Sequence, residues 1–184
     1  MNEGRFNLRG WESNHLTSTT PNKEDKEVSV LGLLWNLGRD TLRCVIPEVH
    51  CETMTKRTIL SCTQRVFDPV GYTCPVTLYP KILLQELWSL KKGWDEPVPE
   101  EFQTKFEKCK KQLPLLGTIE LPRFTHRDPD SQLHVFTDAS QKAYAASVFL
   151  RTSSEEGITI TLLRAKLRVV PIEKITIPRL ELLA

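Results

Sequence analysis

The feature that most constrains this chain is a change of hydrophobic period part-way along it. Phe102, Phe106, Cys109 and Leu113 recur at i, i+4, i+7 and i+11, which is the repeat of one helix face. Some twenty residues later the pattern is strand-like. Leu133 to Thr137, Ala143 to Leu150 and Ile158 to Ala165 are apolar, β-rich runs. Their gaps, Asp138 to Lys142 and Arg151 to Gly157, are short and polar. Connections of that length predict an antiparallel meander rather than crossovers. The fold class is therefore α+β, with helices first and a sheet after them.

The same reading extends to both ends. Val28 to Trp35, with Gly32 inside it, and Thr41 to Val45 flank a polar turn at Asn36 to Asp40, and predict a hairpin. A first helix is expected from about Thr55 to Phe67, with Ile59, Cys62, Val66 and Phe67 inward and Asp68-Pro69 and Gly71 as its stop. A second is expected from about Val76 to Lys92, with Ile82, Leu83, Leu87 and Leu90 as its stripe and Gly93 as its stop. A third starts at Glu100 after Pro99 and ends at Pro114 and Gly117. Residues 117–132 predict a polar linker and a module boundary. Lys166 to Thr176 connects onward, and Pro178 suits the first turn of a last helix. Residues 1–27 are polar and predict loop or disorder, apart from Phe6, Leu8 and Trp11. The organisation is thus 1–27, 28–116, 117–132 and 133–184.

Composition excludes more than it selects. A net charge of +2 and a pI near 8.3 fall short of the roughly 9 that would alone mark a nucleic-acid binder. The five cysteines, Cys44, Cys51, Cys62, Cys74 and Cys109, are odd in number and form no CxxC pair. That fits a reduced, intracellular compartment, cytoplasmic or nuclear, better than a disulfide framework. His50-Cys51 lacks a second pair at zinc spacing. No run reaches the ~18 apolar residues of a membrane span, and Met1 to Arg5 does not open a secretory signal. A nucleophile elbow, a phosphate loop and the glycine of an aspartic-protease turn are all missing.

Two carboxylates carry the candidate chemistry. Asp138 ends the run Leu133-His134-Val135-Phe136-Thr137-Asp138, and Glu181 lies in Pro178-Arg179-Leu180-Glu181-Leu182-Leu183-Ala184. Two Mg²⁺ about 4 Å apart can stabilise the attacking and leaving oxygens of phosphodiester hydrolysis. Mg²⁺ takes hard oxygen ligands and keeps several waters, so one or two carboxylates per ion suffice. A strand-end aspartate and a helix-start glutamate on one sheet face would meet that need. On the residues alone, a turn-forming aspartate and a glutamate that favours a helix dipole stand beside it. On the first of these readings Asp138 and Glu181 would be the catalytic, metal-binding pair. Arg164, Lys166, Arg168, Lys174 and Arg179, crowded around one acid, Glu173, are candidate phosphate contacts, as are Lys56, Arg57 and Arg65 on the first helix.

Val135-Phe136-Thr137-Asp138-Ala139-Ser140 resembles the first strand of retroelement ribonuclease H domains. Arg179-Leu180-Glu181-Leu182-Leu183-Ala184 is similar to the helix that bears their second acid. Six further blocks look like the BEL/Pao class of LTR retrotransposons. They are Val30 to Asn36, Thr55 to Ser61, Phe67 to Gly71, Lys81 to Trp88, Gly93 to Pro97, and Ala165 to Pro171 with Ile177 to Glu181. The resemblance spans Phe6 to Ala184 in the family's order. It implies a fragment of a Pol polyprotein. Residues 1–27 would end a reverse transcriptase palm, the hairpin would grip a primer end, and the helices would be thumb and connection. Residues 133–184 would be the N-terminal half of a ribonuclease H. It implies Mg²⁺ as cofactor, and as partners an RNA–DNA hybrid or primer–template duplex and the other Pol domains. A virus-like particle is one location it allows. The family's Tyr-x-Asp-Asp turn does not occur, so polymerase activity is expected to be absent. The family's third ribonuclease H aspartate is expected beyond Ala184, so efficient catalysis by this chain is not expected. A host-retained module that binds nucleic acid or protein, and a pseudogene product, are the alternatives.

Overall fold

The computed structural model describes residues 12–14, 26–46, 48, 53–173 and 175–184. The expectations for Phe6 to Trp11, for His50-Cys51 and for Lys174 lie outside these residues.

The expected first strand is two. β1 (Glu27–Val30) and β2 (Leu33–Asn36) pair antiparallel, Val30 opposite Leu33. Between them Leu31 and Gly32 have φ of 50° and 84°. Positive φ at both central positions is what the primed two-residue turn demands, and it suits the twist of the strands. Gly32 meets that demand freely, whereas Leu31 accepts a conformation that bulky residues avoid. β3 (Thr41–Cys44) pairs with β2 across Leu37 to Asp40, as expected.

Three helices form the core. α1 (Lys56–Gln64) begins at Thr55, whose hydroxyl accepts from the Thr58 N–H while the Thr58 hydroxyl accepts from the Thr55 N–H. Phe67 falls beyond α1 and is half exposed rather than inward. α2 (Cys74–Ser89) opens with Pro75 in its first turn and ends before Gly93. Lys91, at φ 51°, already leaves the helix there. α3 (Glu100–Gln112) has Glu100 and Glu101 in its first turn and Lys110 and Lys111 in its last, which matches both ends of the helix dipole. Ile59, Leu83, Leu87 and Phe106 are fully buried and pack with Met54, Cys62, Val98 and Leu113.

The 117–132 stretch is partly built rather than a plain linker. A 3₁₀ turn, Leu113–Thr118, leads to β4 (Leu121–Pro122), which adds to β3. Arg123 fastens it. Its guanidinium donates to both Asp40 oxygens and lies 4.8 Å from the centre of the Trp35 ring.

The second sheet is β5 (Gln132–Ala139), β6 (Ala143–Ser154) and β7 (Gly157–Val169), an antiparallel meander in that order. Its strands run longer than expected, and Asp138 lies inside β5. A bulge sits where Val148 pairs with Arg164 but Phe149 with Leu162, leaving Leu163 extra. The chain ends with α4 (Ile177–Glu181), packed on β5 by way of the fully buried Leu180.

The helices dock on the outer edge of β7. The Ala165 N–H donates to the Val70 carbonyl at 2.7 Å, and the Gln85 amide donates to the Val170 carbonyl. Gly71, at φ 96°, lies so close that a Cβ would stand 1.9 Å from the Ala165 carbonyl oxygen. Asp68 holds this loop by accepting from the Gly71 and Thr73 N–H groups and the Thr73 hydroxyl, at 2.6–2.7 Å. The Asp68-Pro69-Val70-Gly71 stretch, expected as a helix stop, is thus also the joint between helices and sheet.

Candidate active site

Pairing fixes which side of the sheet each β5 residue faces, because side chains alternate along a strand. Asp138 pairs with Ala145, and Ala145 with Leu167, so the three share a face. Phe136, Ser147 and Ala165 are on that same face. The start of α2 lies over it. Between them is an open cleft of about 310 Å³, with Asp138, Phe136 and Phe149 on the sheet side and Gly71, Tyr72 and Cys74 on the other.

The β5–β6 turn does not use Asp138. Ser140 forms it: its N–H and hydroxyl donate to the Ala143 carbonyl, and its oxygen accepts from the Lys142 and Ala143 N–H groups. The Asp138 carboxylate is exposed and has no hydrogen-bond or ion-pair partner among the described residues. Glu181 is the last residue of α4, not a first-turn residue, and is likewise exposed without a partner. A carboxylate at a helix C-terminus opposes the helix dipole. Turn formation therefore does not explain Asp138, and Glu181 lies outside the first turn of α4. α4, which carries Glu181, packs on β5, the strand that carries Asp138.

The donor set fits part of a magnesium site. Two exposed carboxylates offer the hard oxygens Mg²⁺ takes. No group of three or more His, Cys, Asp or Glu side chains gathers among the described residues.

The predicted basic residues scatter. Arg164, Lys166 and Arg168 pair with Val148, Ala146 and Tyr144, which places them on the sheet face opposite Asp138. Arg179 is exposed on α4, and Arg65 is exposed just after α1. Lys56 is not at the surface. It is 4% exposed, and its ammonium donates to the Lys92 carbonyl at 2.7 Å, closing the 92–98 loop over the start of α1. Arg57 spends its guanidinium on Asp95, with two bonds of 2.7 and 3.0 Å. Lys56 therefore offers no free charge, whereas the Arg57–Asp95 pair lies on the surface.

One other acid near the sheet has a local task. Asp128 accepts from the Asp130 N–H and the Ser131 hydroxyl, which makes it a turn former. Tyr72 and Cys74 in the cleft wall were missed, because they stand some sixty residues before Asp138. The Tyr72 hydroxyl accepts from the Cys44 N–H at 2.9 Å and so ties the first sheet to the helices. Burial, the largest cause, pushes its phenol above the ordinary range. Burial likewise pushes the Cys74 thiol up.

Residues 55–184 match the family described as Pao retrotransposon-like RNaseH-like domain, more than two thirds of the chain. The chain belongs to this family. The matched span of the Pao family starts at Thr55, the N-cap of α1, and takes in the three helices, β4, the second sheet and α4. The resemblance to a BEL/Pao Pol fragment is confirmed, and the mixture of helices and antiparallel sheets is the α+β architecture expected of it. RNaseH-like domains as a class act on nucleic acid and use divalent metals. No curated protein matches the chain. Among the described residues no helix is long and apolar enough to cross a membrane.

Proposed function

We propose that this part of a Pao-type Pol polyprotein holds an RNA–DNA hybrid, and that Asp138 and Glu181 are two of the acidic ligands of a two-metal ribonuclease H site. The observation that carries the reading is the pair of exposed carboxylates, on β5 and on the helix packed against it, that have no partner among the described residues. Side chains with a structural task would have found partners, as Asp68, Asp40 and Asp128 have.

Bound Mg²⁺ would stabilise the charge that develops on the scissile phosphate's oxygens. The chain's own contribution is to place Asp138 on a rigid strand at an open cleft, and Glu181 beside that strand through the buried Leu180. Asp138 and Glu181 would supply part of the ligand set of the two ions, with water completing the coordination of each. Arg164, Lys166 and Arg168, spaced two residues apart along β7, hold phosphates on the face away from Asp138. Arg65 and Arg179 are further phosphate contacts.

The test is cleavage of a labelled RNA–DNA hybrid by a longer Pol segment that continues past Ala184. Wild type is expected to cut with Mg²⁺, and Asp138→Asn to lose about a hundred-fold or more in rate. Full cleavage by Asp138→Asn removes the assignment.

A further inference from the structure

A groove between α2 and α3 adjoins the Asp138 cleft, and Pro75 lines both. Its other walls include Tyr79, Lys105, Lys108 and Gln112. We infer that this groove is the track along which a nucleic-acid strand reaches Asp138, with Lys105 and Lys108 on its phosphates and Tyr79 under a base. The inference deepens the hybrid-binding reading and rests on it.

Three observations carry it. The first is the sidedness of the sheet. By register Arg164 and Arg168 face away from Asp138, and of the three basic residues Lys166 alone borders its cleft, which leaves most of the stretch of backbone that the carboxylate meets to be held from elsewhere. The α2–α3 groove opens beside the face that bears it, with Pro75 at the junction. The second is the state of the two lysines. Lys108 is exposed and makes no ion pair among the described residues. Lys105 pairs with Glu101 on the surface, and Glu86 is near it as well. A surface pair of this kind is worth little, and a phosphate can displace it. The dipole of α3 does not account for either residue, since Lys110 and Lys111 already occupy the last turn. The third is Tyr79. It is 44% exposed and lines the same groove as the two lysines. Lysines that bind phosphate as point charges, beside an aromatic stacking surface, suit a nucleic-acid strand read without regard to sequence.

The test uses the 184-residue chain and a fluorescent RNA–DNA hybrid, with affinity measured by anisotropy across a salt series. Lys105→Glu/Lys108→Glu is expected to weaken binding at least ten-fold at low salt. The slope of log affinity against log salt should become shallower by about 2, one per lost phosphate contact. Lys105→Arg/Lys108→Arg should keep both affinity and slope. If the reversal perturbs the circular dichroism spectrum, Lys105→Ala/Lys108→Ala is read in its place with the same expected direction. Unchanged affinity and slope in the reversal, with loss instead in Arg164→Glu/Arg168→Glu, overturns the groove and leaves hybrid binding standing. No binding by the wild-type chain at any salt overturns the hybrid reading and the groove with it.

Discussion

The helical half and the second sheet bury their side chains to very different degrees. In α1–α3, Ile59, Leu83, Leu87 and Phe106 are sealed, and a single core joins them to Met54, Val98 and Leu113. In β5–β7 the strands are long, yet Leu150 and Thr152 are their only buried residues. Leu133, Val135, Phe136, Ile158 and Ile160 stand 59–66% exposed. The first region is held by burial. The second is held by its own hydrogen-bond ladder and by one docked edge at β7. The start of α2 and the short α4 rest on this sheet and leave much of its apolar surface exposed among the described residues. An open edge strand with apolar side chains also invites pairing with another strand.

That contrast can be broken at the joint. Gly71→Val puts a branched side chain at positive φ and against the Ala165 carbonyl. It should cost about 3 kcal/mol or more in urea unfolding and separate the sheet's transition from the helices'. A loss below about 1 kcal/mol would show that the two regions do not depend on this contact. Phe106→Ala should cost about 3–5 kcal/mol through the cavity it leaves, and amide exchange should rise in α1–α3 before β6. Asp68→Ala leaves the Gly71 and Thr73 N–H groups without their acceptor. A loss of about 1–3 kcal/mol is expected, with near-wild-type stability counting against the loop's role. At the other extreme, Val135→Ala should change stability by no more than about 0.5 kcal/mol, since its side chain is mostly in water. A larger loss would mean that β5 is covered in solution.

Acidity sharpens the comparison from a third side, the β3–β4 clasp. Burial pushes the Asp40 carboxyl up, but hydrogen bonds from Arg123 and Trp35 and the charge of Arg123 more than offset this and hold it below its ordinary value. A depressed carboxylate stabilises the fold above its unfolded pKa of about 3.9, and that contribution is lost as pH falls through the folded value. The Trp35 fluorescence should therefore change below about pH 4, and Asp40→Asn should remove that step. The thiols of Cys44 and Cys109 move the opposite way, raised chiefly by burial. Their contribution is complete below the unfolded thiol value of about 8.5 and is lost as pH rises past it.

Much of the architecture was legible in the sequence. The period of Phe102, Phe106, Cys109 and Leu113 located α3, and the short polar gaps announced the meander. What escaped has specific causes. Two strands read as one because a leucine, not an asparagine or glycine, fills the first turn position at Leu31. β4 is only two residues long and has no pattern to detect. Lysine is rarely buried, so the sequence points Lys56 to the surface, whereas a carbonyl 36 residues away keeps it inside. Of the site, Asp138 and Glu181 were legible as residues. The sidedness of Arg164, Lys166 and Arg168 relative to Asp138 was not, since it depends on register and on the bulge at Leu163. The cleft wall at Gly71 to Cys74 could be found only by docking the helices on β7.

The most direct measurement is a Mn²⁺ titration of the isotope-labelled 184-residue chain, followed by paramagnetic broadening of its amide resonances. The account predicts broadening centred on Asp138 and Glu181, displaced by excess Mg²⁺ and removed by Asp138→Asn. Broadening that is centred elsewhere, or unchanged in Asp138→Asn, would contradict the claim that these two carboxylates belong to one metal site.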